Sequence, residues 1–476
     1  MAVRMYSTLT GREDELVPLD ADGVLRMYVC GMTPKFHPHI GHARTFVAMD
    51  VIRRYLKYRG YQLKHVQNFT DIDDKIIERA RREGRDAVST AREYMESYLA
   101  VMDRLSVQRA DEYPTVTGFM ERIVEFIARL VETGHAYAVE TGDVYFDVAS
   151  FPDYGKLSHR DLNSQLVAAR KELEPGKRDP RDFALWKAAK EGEPSWPSPW
   201  GPGRPGWHIE CSAMARETLG DQLDIHGGGA DLIFPHHENE IAQSESLTGK
   251  KPFVRHWAHS GRVVLGGGEN AGVKRAHSLE NFTTLDSILE RYTPLEVRYF
   301  LVATHYRSSL TFTLEGDDGD VRVRGIEDAR GALGRLRRAL GEEPLSEDGP
   351  LDQMAVDAFN AAMDADFNTP DALAVIFDLA REINRCRDSG GAPEELDQRR
   401  RTLVRLLDVL GLDIRSAEPA RQRSIEPYVE LLLEVRRKLR DLKQWALADE
   451  IRSRLADLGV TVEDRPGGES AWRVER

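Results

Sequence analysis

Apolar positions fall into two regimes along this chain. Up to about residue 290, short apolar or β-branched runs alternate with helix-spaced stretches; beyond it nearly every segment is helix-spaced. Residues 24–31, VLRMYVCG, form a continuous apolar run closed by glycine, the pattern of a buried strand entering a turn. Residues 40–59 then set Phe46, Val47, Met49, Val51, Ile52, Tyr55 and Leu56 at helical spacing, and QLKHVQNFT follows Gly60 as a second strand. Strand, loop, helix and strand at these lengths predict a parallel nucleotide-binding sheet of the Rossmann type. Residues 75–109 and 115–140 read as further helices.

From about residue 141 the pattern breaks into short strands such as DVYFDV and a basic, loop-rich stretch, which predicts an insertion into the sheet. EGEPSWPSPWGPGRPGWHIECS is stiffened by proline and glycine, so its tryptophans are expected to pack around a site. The sheet resumes with GDQLDIHGGGADLIFP, read as a strand ending in a three-glycine loop, and Pro235 opens the helix of PHHENEIAQSESL. Past residue 290, breaks at 341–350, 388–395 and 416–427 separate helices; 428–459 reads as a helix pair and VTVEDRPGGESAWRV as a short hairpin. The expected architecture is α/β: a parallel-sheet domain in two halves, 1–115 and 201–290, around an insertion at 116–200. A helical junction at 291–340 leads to an all-α region at 341–476 closed by the hairpin.

Composition narrows the class. Of 476 residues 41% are hydrophobic and 30% charged, the balance of a globular chain. No apolar stretch nears the roughly 18 residues that span a bilayer, and the opening MAVRMYSTLTGRED lacks a signal peptide's apolar block, so a soluble, cytoplasmic protein without membrane partners is expected. Three cysteines, Cys30, Cys211 and Cys386, make a disulfide framework implausible and leave thiols free or metal-bound. The net charge of -13 excludes an all-over cationic nucleic-acid binder, although Arg436, Arg437, Lys438, Arg440 and Lys443 form one basic run, readable as a phosphate-contacting stripe or as a solvated helix face.

Three groups of residues carry candidate chemistry. Cys30, Cys211, His236 and Glu240 are each competent zinc ligands, and His236 and Glu240 share a helix face; the two cysteines are expected at strand ends or turns. Spacing alone leaves a second reading open, in which the cysteines are small buried apolar residues and His236 is a satisfied core or capping histidine. HPHIGHAR at 37–44 puts His39 and His42 around Gly41 between a strand and a helix, where imidazoles and helix N-terminal amides face a polyphosphate. In HGGGAD, residues 226–231, glycines let backbone approach a nucleotide, or form a plain tight turn.

Taken together, MYVCGMT at 27–33, HIGHARTFVAMDV at 39–51, NFTDIDDKII at 68–77, GEPSWPSPWGPGRPGWHIECSAM at 192–214, DIHGGGADLIFPHHENEIAQ at 224–243 and DADFNTPDA at 364–372 resemble cysteinyl-tRNA synthetases, class I aminoacyl-tRNA ligases, along essentially the whole chain. The resemblance implies one zinc on Cys30, Cys211, His236 and Glu240 that binds the substrate thiolate, with Trp207 covering the bound amino acid. A soft metal site of this kind discriminates cysteine from serine without an editing domain. It implies ATP with Mg²⁺ held by Thr33, His39, Gly41 and His42, with Asp224, His226, Gly227 and Gly229 around adenosine, and activation of L-cysteine to cysteinyl-adenylate before transfer to the 3′ end of tRNA(Cys). It also implies a monomer whose C-terminal region reads the anticodon through Arg440, Trp445, Asp449 and Asp464.

Two departures stand out. Where the family carries a mobile Lys-Met-Ser-Lys-Ser loop, this chain has Lys274-Arg275-Ala276-His277-Ser278, so the loop's catalytic charge falls to Lys274 and Arg275, with His277 in place of the second lysine. Where the family commonly shows Thr-Val-Tyr-Asp at the amino-acid end of the pocket, this chain has Thr33-Pro34-Lys35-Phe36. They keep two alternatives in view: a diverged paralogue that ligates cysteine to a small amine, and a non-catalytic tRNA-binding or metal-sensing paralogue.

Overall fold

The computed structural model describes residues 2–160, 176–266, 284–315, 322–346, 348–415, 426–464 and 470–474. It forms two units, 1–415 and 416–476. A hairpin of β1 (Arg4–Ser7) and β2 (Arg12–Glu15) opens the first unit. The expected strand, helix and strand follow as β3 (Val24–Val29), α1 (Ile40–Tyr58) and β4 (Gln62–Gln67), with β3 and β4 parallel. The helical stretch beyond is divided into α2 (Asp74–Glu83) and α3 (Ala87–Arg104). Gly84 ends α2 in the left-handed region at φ 66°, and the Asp86 carboxylate accepts the Val88 and Ser89 N–H groups to start α3.

After α4 (Met120–Glu132) the insertion forms an antiparallel sheet of β5 (Ala136–Ala138), β6 (Val144–Phe146), β7 (Phe183–Ala188) and β8 (Gly203–Pro205). The Trp- and Pro-rich segment then runs directly into α5 (Trp207–Leu219), so Cys211 stands on a helix and not at the expected strand end or turn. Next, β9 (Leu223–Gly229), α6 (Glu238–Thr248) and β10 (Val254–Ser260) complete a parallel sheet of order β10-β9-β3-β4.

The three glycines after His226 belong to β9 and are not a loop: Gly227, Gly228 and Gly229 pair with Ala258, His259 and Ser260. A Cβ on Gly227 would meet Met49 Sδ at 2.6 Å, and one on Gly228 the His237 ring at 2.8 Å. Glycine here lets α1 and a histidine pack directly on the strand.

Among the described residues from 290 to 415 the fold is helical apart from one small sheet. β11 (Val263–Gly266) pairs in parallel with β12 (Leu310–Glu315), which pairs antiparallel with β13 (Arg322–Val323). Around this small sheet lie α7 (Leu285–Arg291), α8 (Pro294–Val302), α9 (Arg324–Leu340), α10 (Gln353–Asp364), α11 (Thr369–Asp388) and α12 (Pro393–Val409). One contiguous apolar core runs from Val3 through α1 and α8 to Ile414 and passes across position 340, where the sequence suggests a boundary.

Arg44, in the second turn of α1, ties this core to the site. Its buried guanidinium donates to the carbonyls of Leu301, Thr304, His305, Tyr306 and Ser308 at 2.5–3.2 Å. Burial lowers its pKa to about 10, and carbonyl dipoles take the place of a carboxylate partner.

The second unit consists of α13 (Glu426–Asp441), α14 (Trp445–Asp457) and the expected hairpin, β14 (Val460–Asp464) with β15 (Ser470–Val474). Its core is Val429, Leu455, Val460 and Val462. Arg436 of the basic run is buried, donating to Ala448 O and Ser470 Oγ, so it braces the unit instead of facing solvent.

Candidate active site

The parallel strands aim their C-terminal ends at one place, where open α/β sheets bind ligands. Cys30 follows β3, Gly229 ends β9 and Ser260 ends β10; all three line a cavity of about 760 Å³. Thr33, His39, Gly41, His42 and Trp207 line it too.

Cys30, which lines this cavity, converges with Cys211, His236 and Glu240. Cys30 Sγ lies 3.5 Å from Cys211 Sγ, 3.4 Å from His236 Nε2 and 3.4 Å from Glu240 Oε1, and His236 Nε2 lies 3.0 Å from Glu240 Oε1. All four side chains are buried. Tetrahedral zinc, with sulfur at about 2.3 Å and nitrogen or oxygen at about 2.0 to 2.1 Å, sets sulfurs about 3.8 Å apart, sulfur and nitrogen about 3.5 Å and nitrogen and oxygen about 3.3 Å. The donor set fits such an ion. The second reading of the cysteines, as inert apolar residues, has no place for a carboxylate and an imidazole on the same sulfur.

The electrostatics of the cluster are those of buried groups that share protons, two of them held up and two held down. Burial drives the Cys30 thiol upward, and the hydrogen bond it donates to Cys211 brings the second thiol down to about 6. Burial opposes charge on Glu240 and His236. Neighbouring His226 and His236 nevertheless hold Glu240 at about 2, and Glu240 with Cys211 lifts His236 to about 10.

A layer of histidines that the sequence reading passed over supports these groups. His208 Nδ1 lies 3.1 Å from His236 Nδ1, which aims the opposite ring nitrogen at the cluster. His237 bridges Cys30 Sγ at 3.4 Å and His259 at 2.8 Å, and Thr8 Oγ1 meets the far side of His259 at 2.7 Å. Cys30 and Glu240 are therefore also within ligand range of His226 and His237. Only the set with Cys211 offers two sulfurs, and only its His236 stacks under Trp207, 4.5 Å between ring centroids. The sequence signal for the layer was proximity: each of His208 and His237 lies within three residues of a proposed ligand.

His39, also on the cavity wall, caps α1. Its Nδ1 accepts the N–H groups of Gly41 and His42 at 3.1 and 3.4 Å, while the His39 N–H donates to His42 Nδ1 at 3.2 Å. Both neutral rings therefore carry their proton on Nε2. The rings stack 3.8 Å apart at 16°, and Phe36 stacks on His39 at 5.6 Å. Burial lowers both, His42 to about 3, which keeps the pair uncharged and fit to donate to phosphate oxygens.

Three of the expected adenosine residues stand elsewhere. Asp224 spends both carboxylate oxygens on the Leu19 and Arg26 N–H groups at 2.7 Å, His226 turns to Glu240, and Gly227 packs on Met49. Gly229 alone of that group lines the cavity, with Asp231 and Ser260 added to it. Lys274, Arg275 and His277 lie outside the described residues. In the second unit, Trp445 is 55% exposed, the Arg440 guanidinium sits 5.9 Å from its ring, and Asp449 is exposed. Asp464 ends β14, its side chain outside the described residues.

Known proteins match this arrangement from end to end. Residues 16–316 match the family described as tRNA synthetases class I (C) catalytic domain, 358–415 the DALR domain and 423–473 the cysteinyl-tRNA ligase anticodon binding domain. A cysteine–tRNA ligase of Dehalococcoides mccartyi is 46% identical over 100% of both chains, and one of Symbiobacterium thermophilum 45% identical over 99% of this chain and 100% of its own. Among solved structures, Mycobacterium tuberculosis methionyl-tRNA synthetase in complex with methionyl-adenylate shares the fold at a TM-score of 0.56 and 16% identity, covering 82% of this chain and 90% of its own. With its parallel sheet, its sulfur-rich donor cluster and a full-length match above 40% identity, the chain belongs to the cysteinyl-tRNA synthetase family.

Proposed function

We propose that the protein is an AMP-forming cysteine–tRNA ligase with L-cysteine, ATP and tRNA(Cys) as substrates. The observation that carries this reading is one cavity lined both by Cys30 of a two-thiol donor cluster and by the paired Nε2–H donors His39 and His42. Cysteine seated between them presents its side chain to the cluster and its carboxylate to ATP.

Zinc, when bound by Cys30, Cys211, His236 and Glu240, supplies a soft Lewis acid that favours a substrate thiolate over a hydroxyl. Trp207, stacked on His236 at the cavity wall, shields the cluster from water. His39 and His42 orient the triphosphate, which enters with Mg²⁺, through Nε2–H. The cysteine carboxylate attacks the α-phosphate, the bond to the β-phosphate bridging oxygen breaks, and cysteinyl-adenylate and pyrophosphate form. A 3′-terminal ribose hydroxyl of tRNA then takes the cysteinyl group and AMP leaves. Positioning and charge account for the rate, as in phosphoryl chemistry generally.

In the second unit Trp445 provides a face for an unpaired anticodon base beside the Arg440 guanidinium, with Asp449 and Asp464 as acceptors for base amino groups. No helix among the described residues is long and apolar enough to cross a membrane. The reading is of a monomer working in the cytoplasm.

Cysteine-dependent ATP–pyrophosphate exchange, followed by charging of a tRNA(Cys) transcript with serine as competitor, tests the assignment. Exchange without charging would turn the reading toward a small-amine acceptor; no exchange with zinc bound would remove it.

A further inference from the structure

Beside the histidine pair the cavity holds two lysines that the reading above does not use, Lys35 and Lys75. Lys35 Nζ sits 5.1 Å from the Phe36 ring centroid, and Phe36 stacks on His39 and lies 5.9 Å from His42. The Lys35 ammonium thus hangs over the stack whose Nε2–H groups serve the cavity. Lys75, in the first turn of α2, comes within interaction distance of it, and their mutual repulsion adds to burial in lowering the Lys35 pKa.

Among the described residues neither lysine is in an ion pair with a carboxylate. Asp73 is the acidic side chain that acts on Lys35, but it is ion-paired with neither lysine, and its Oδ1 accepts the Lys75 backbone N–H at 2.8 Å. Asp231 stands in the same cavity on the His39 side. Two like charges held together with neither ion-paired cost free energy that a bound anion offsets. A monovalent carboxylate neutralises one ammonium, whereas a polyphosphate spans both.

We propose that Lys35, with Lys75 beside it, is a phosphate-binding residue that holds the β- and γ-phosphates of ATP and stabilises the departing pyrophosphate. The inference rests on the ligase reading for its substrate, and on the two unpaired lysines for its location. No proton moves in this role: each ammonium stays protonated and its charge meets the negative charge that builds on the leaving group as the α,β bridge breaks.

The test compares full-length Lys35→Met, Lys35→Arg and Lys75→Met with the parent protein in tRNA-free ATP–pyrophosphate exchange and in calorimetric binding of inorganic tripolyphosphate and of AMP. Zinc content and thermal melting certify the folding of each. Lys35→Met is expected to lower exchange kcat on the order of 100-fold, with Lys35→Arg retaining most of it. Tripolyphosphate binding should weaken about tenfold in both methionine variants while AMP, which lacks the outer phosphates, binds as before. Exchange by Lys35→Met within about threefold of the parent overturns the proposal. So does normal exchange with slower tRNA charging, which would assign the lysine to the phosphates of the tRNA 3′ end. Should the parent catalyse no cysteine-dependent exchange, the ligase reading fails by itself, and tripolyphosphate decides: weaker binding by Lys35→Met sustains the site, and equal binding overturns it.

Discussion

His226 Nε2 lies 2.9 Å from Glu240 Oε2, and neither side chain reaches solvent. The other oxygen, Oε1, is thereby left to His236 and Cys30 at 3.0 and 3.4 Å. His226 itself is held by a stack on Trp257, 4.6 Å between centroids. A carboxylate fixed through its far oxygen is a better ligand than one free to rotate. His226→Ala should therefore lower zinc affinity about 10- to 100-fold in a chelator competition, although the side chain is not itself in the two-sulfur set.

Gly41→Ala tests the phosphate end. A Cβ there would meet His39 Cε1 at 2.9 Å and Nδ1 at 3.0 Å, so the ring must leave the Gly41 and His42 amides it caps. Misplacement on the scale of 1 Å costs about 100-fold in rate, and that is the fall expected in cysteine-dependent exchange, with zinc content unchanged.

His65 predicts an acid sensitivity. Its ring on β4 is 5% exposed, neither nitrogen has a partner among the described residues, and burial with the nearby Arg53 charge holds its pKa at about 3 against an ordinary 6.5. Between those values the unfolded chain binds the proton and the folded one does not, so stability falls as pH drops below 6.5. His65→Leu should remove roughly 2 kcal/mol of the stability lost between pH 7 and 5, read from urea midpoints at both pH values.

Trp445→Ala separates the two units by function. The ring is 55% exposed, so its loss leaves the second unit folded. Stacking on a base is worth about 1 to 3 kcal/mol, so KM for tRNA(Cys) should rise about tenfold or more while tRNA-free exchange stays at the parent rate.

How far the sequence carried this picture depended on whether the signal was local. Helix-spaced apolar residues located α1, and ligand types together with the resemblance to cysteinyl-tRNA synthetases singled out Cys30, Cys211, His236 and Glu240. What the text could not show was how residues up to 210 positions apart meet. Gly227 to Gly229 read as a loop because glycine has no side chain with which to announce a strand; Met49 and His237 fill the space instead. Asp224, His226 and Gly227 are placed around adenosine by the resemblance, and none of the three lines the cavity. Once β9 is a strand, its period of two turns His226 away from the Met49 side and toward Glu240. The alternation in LTFTLE is a strand signal only six residues long, set among helices, and its partner β11 lies more than forty residues upstream.

The clasp of Arg44 on the Leu301 to Ser308 carbonyls has a consequence for biosynthesis. Its five acceptors follow it by 257 to 264 residues. At about 5 to 20 residues per second, a ribosome needs roughly 13 to 53 s after making Arg44 before it has made them. Through that interval a guanidinium shaped for burial stays in water and the helix bearing His39 lacks its anchor. The helix that presents the phosphate-facing histidines is thus braced only after translation has passed Ser308.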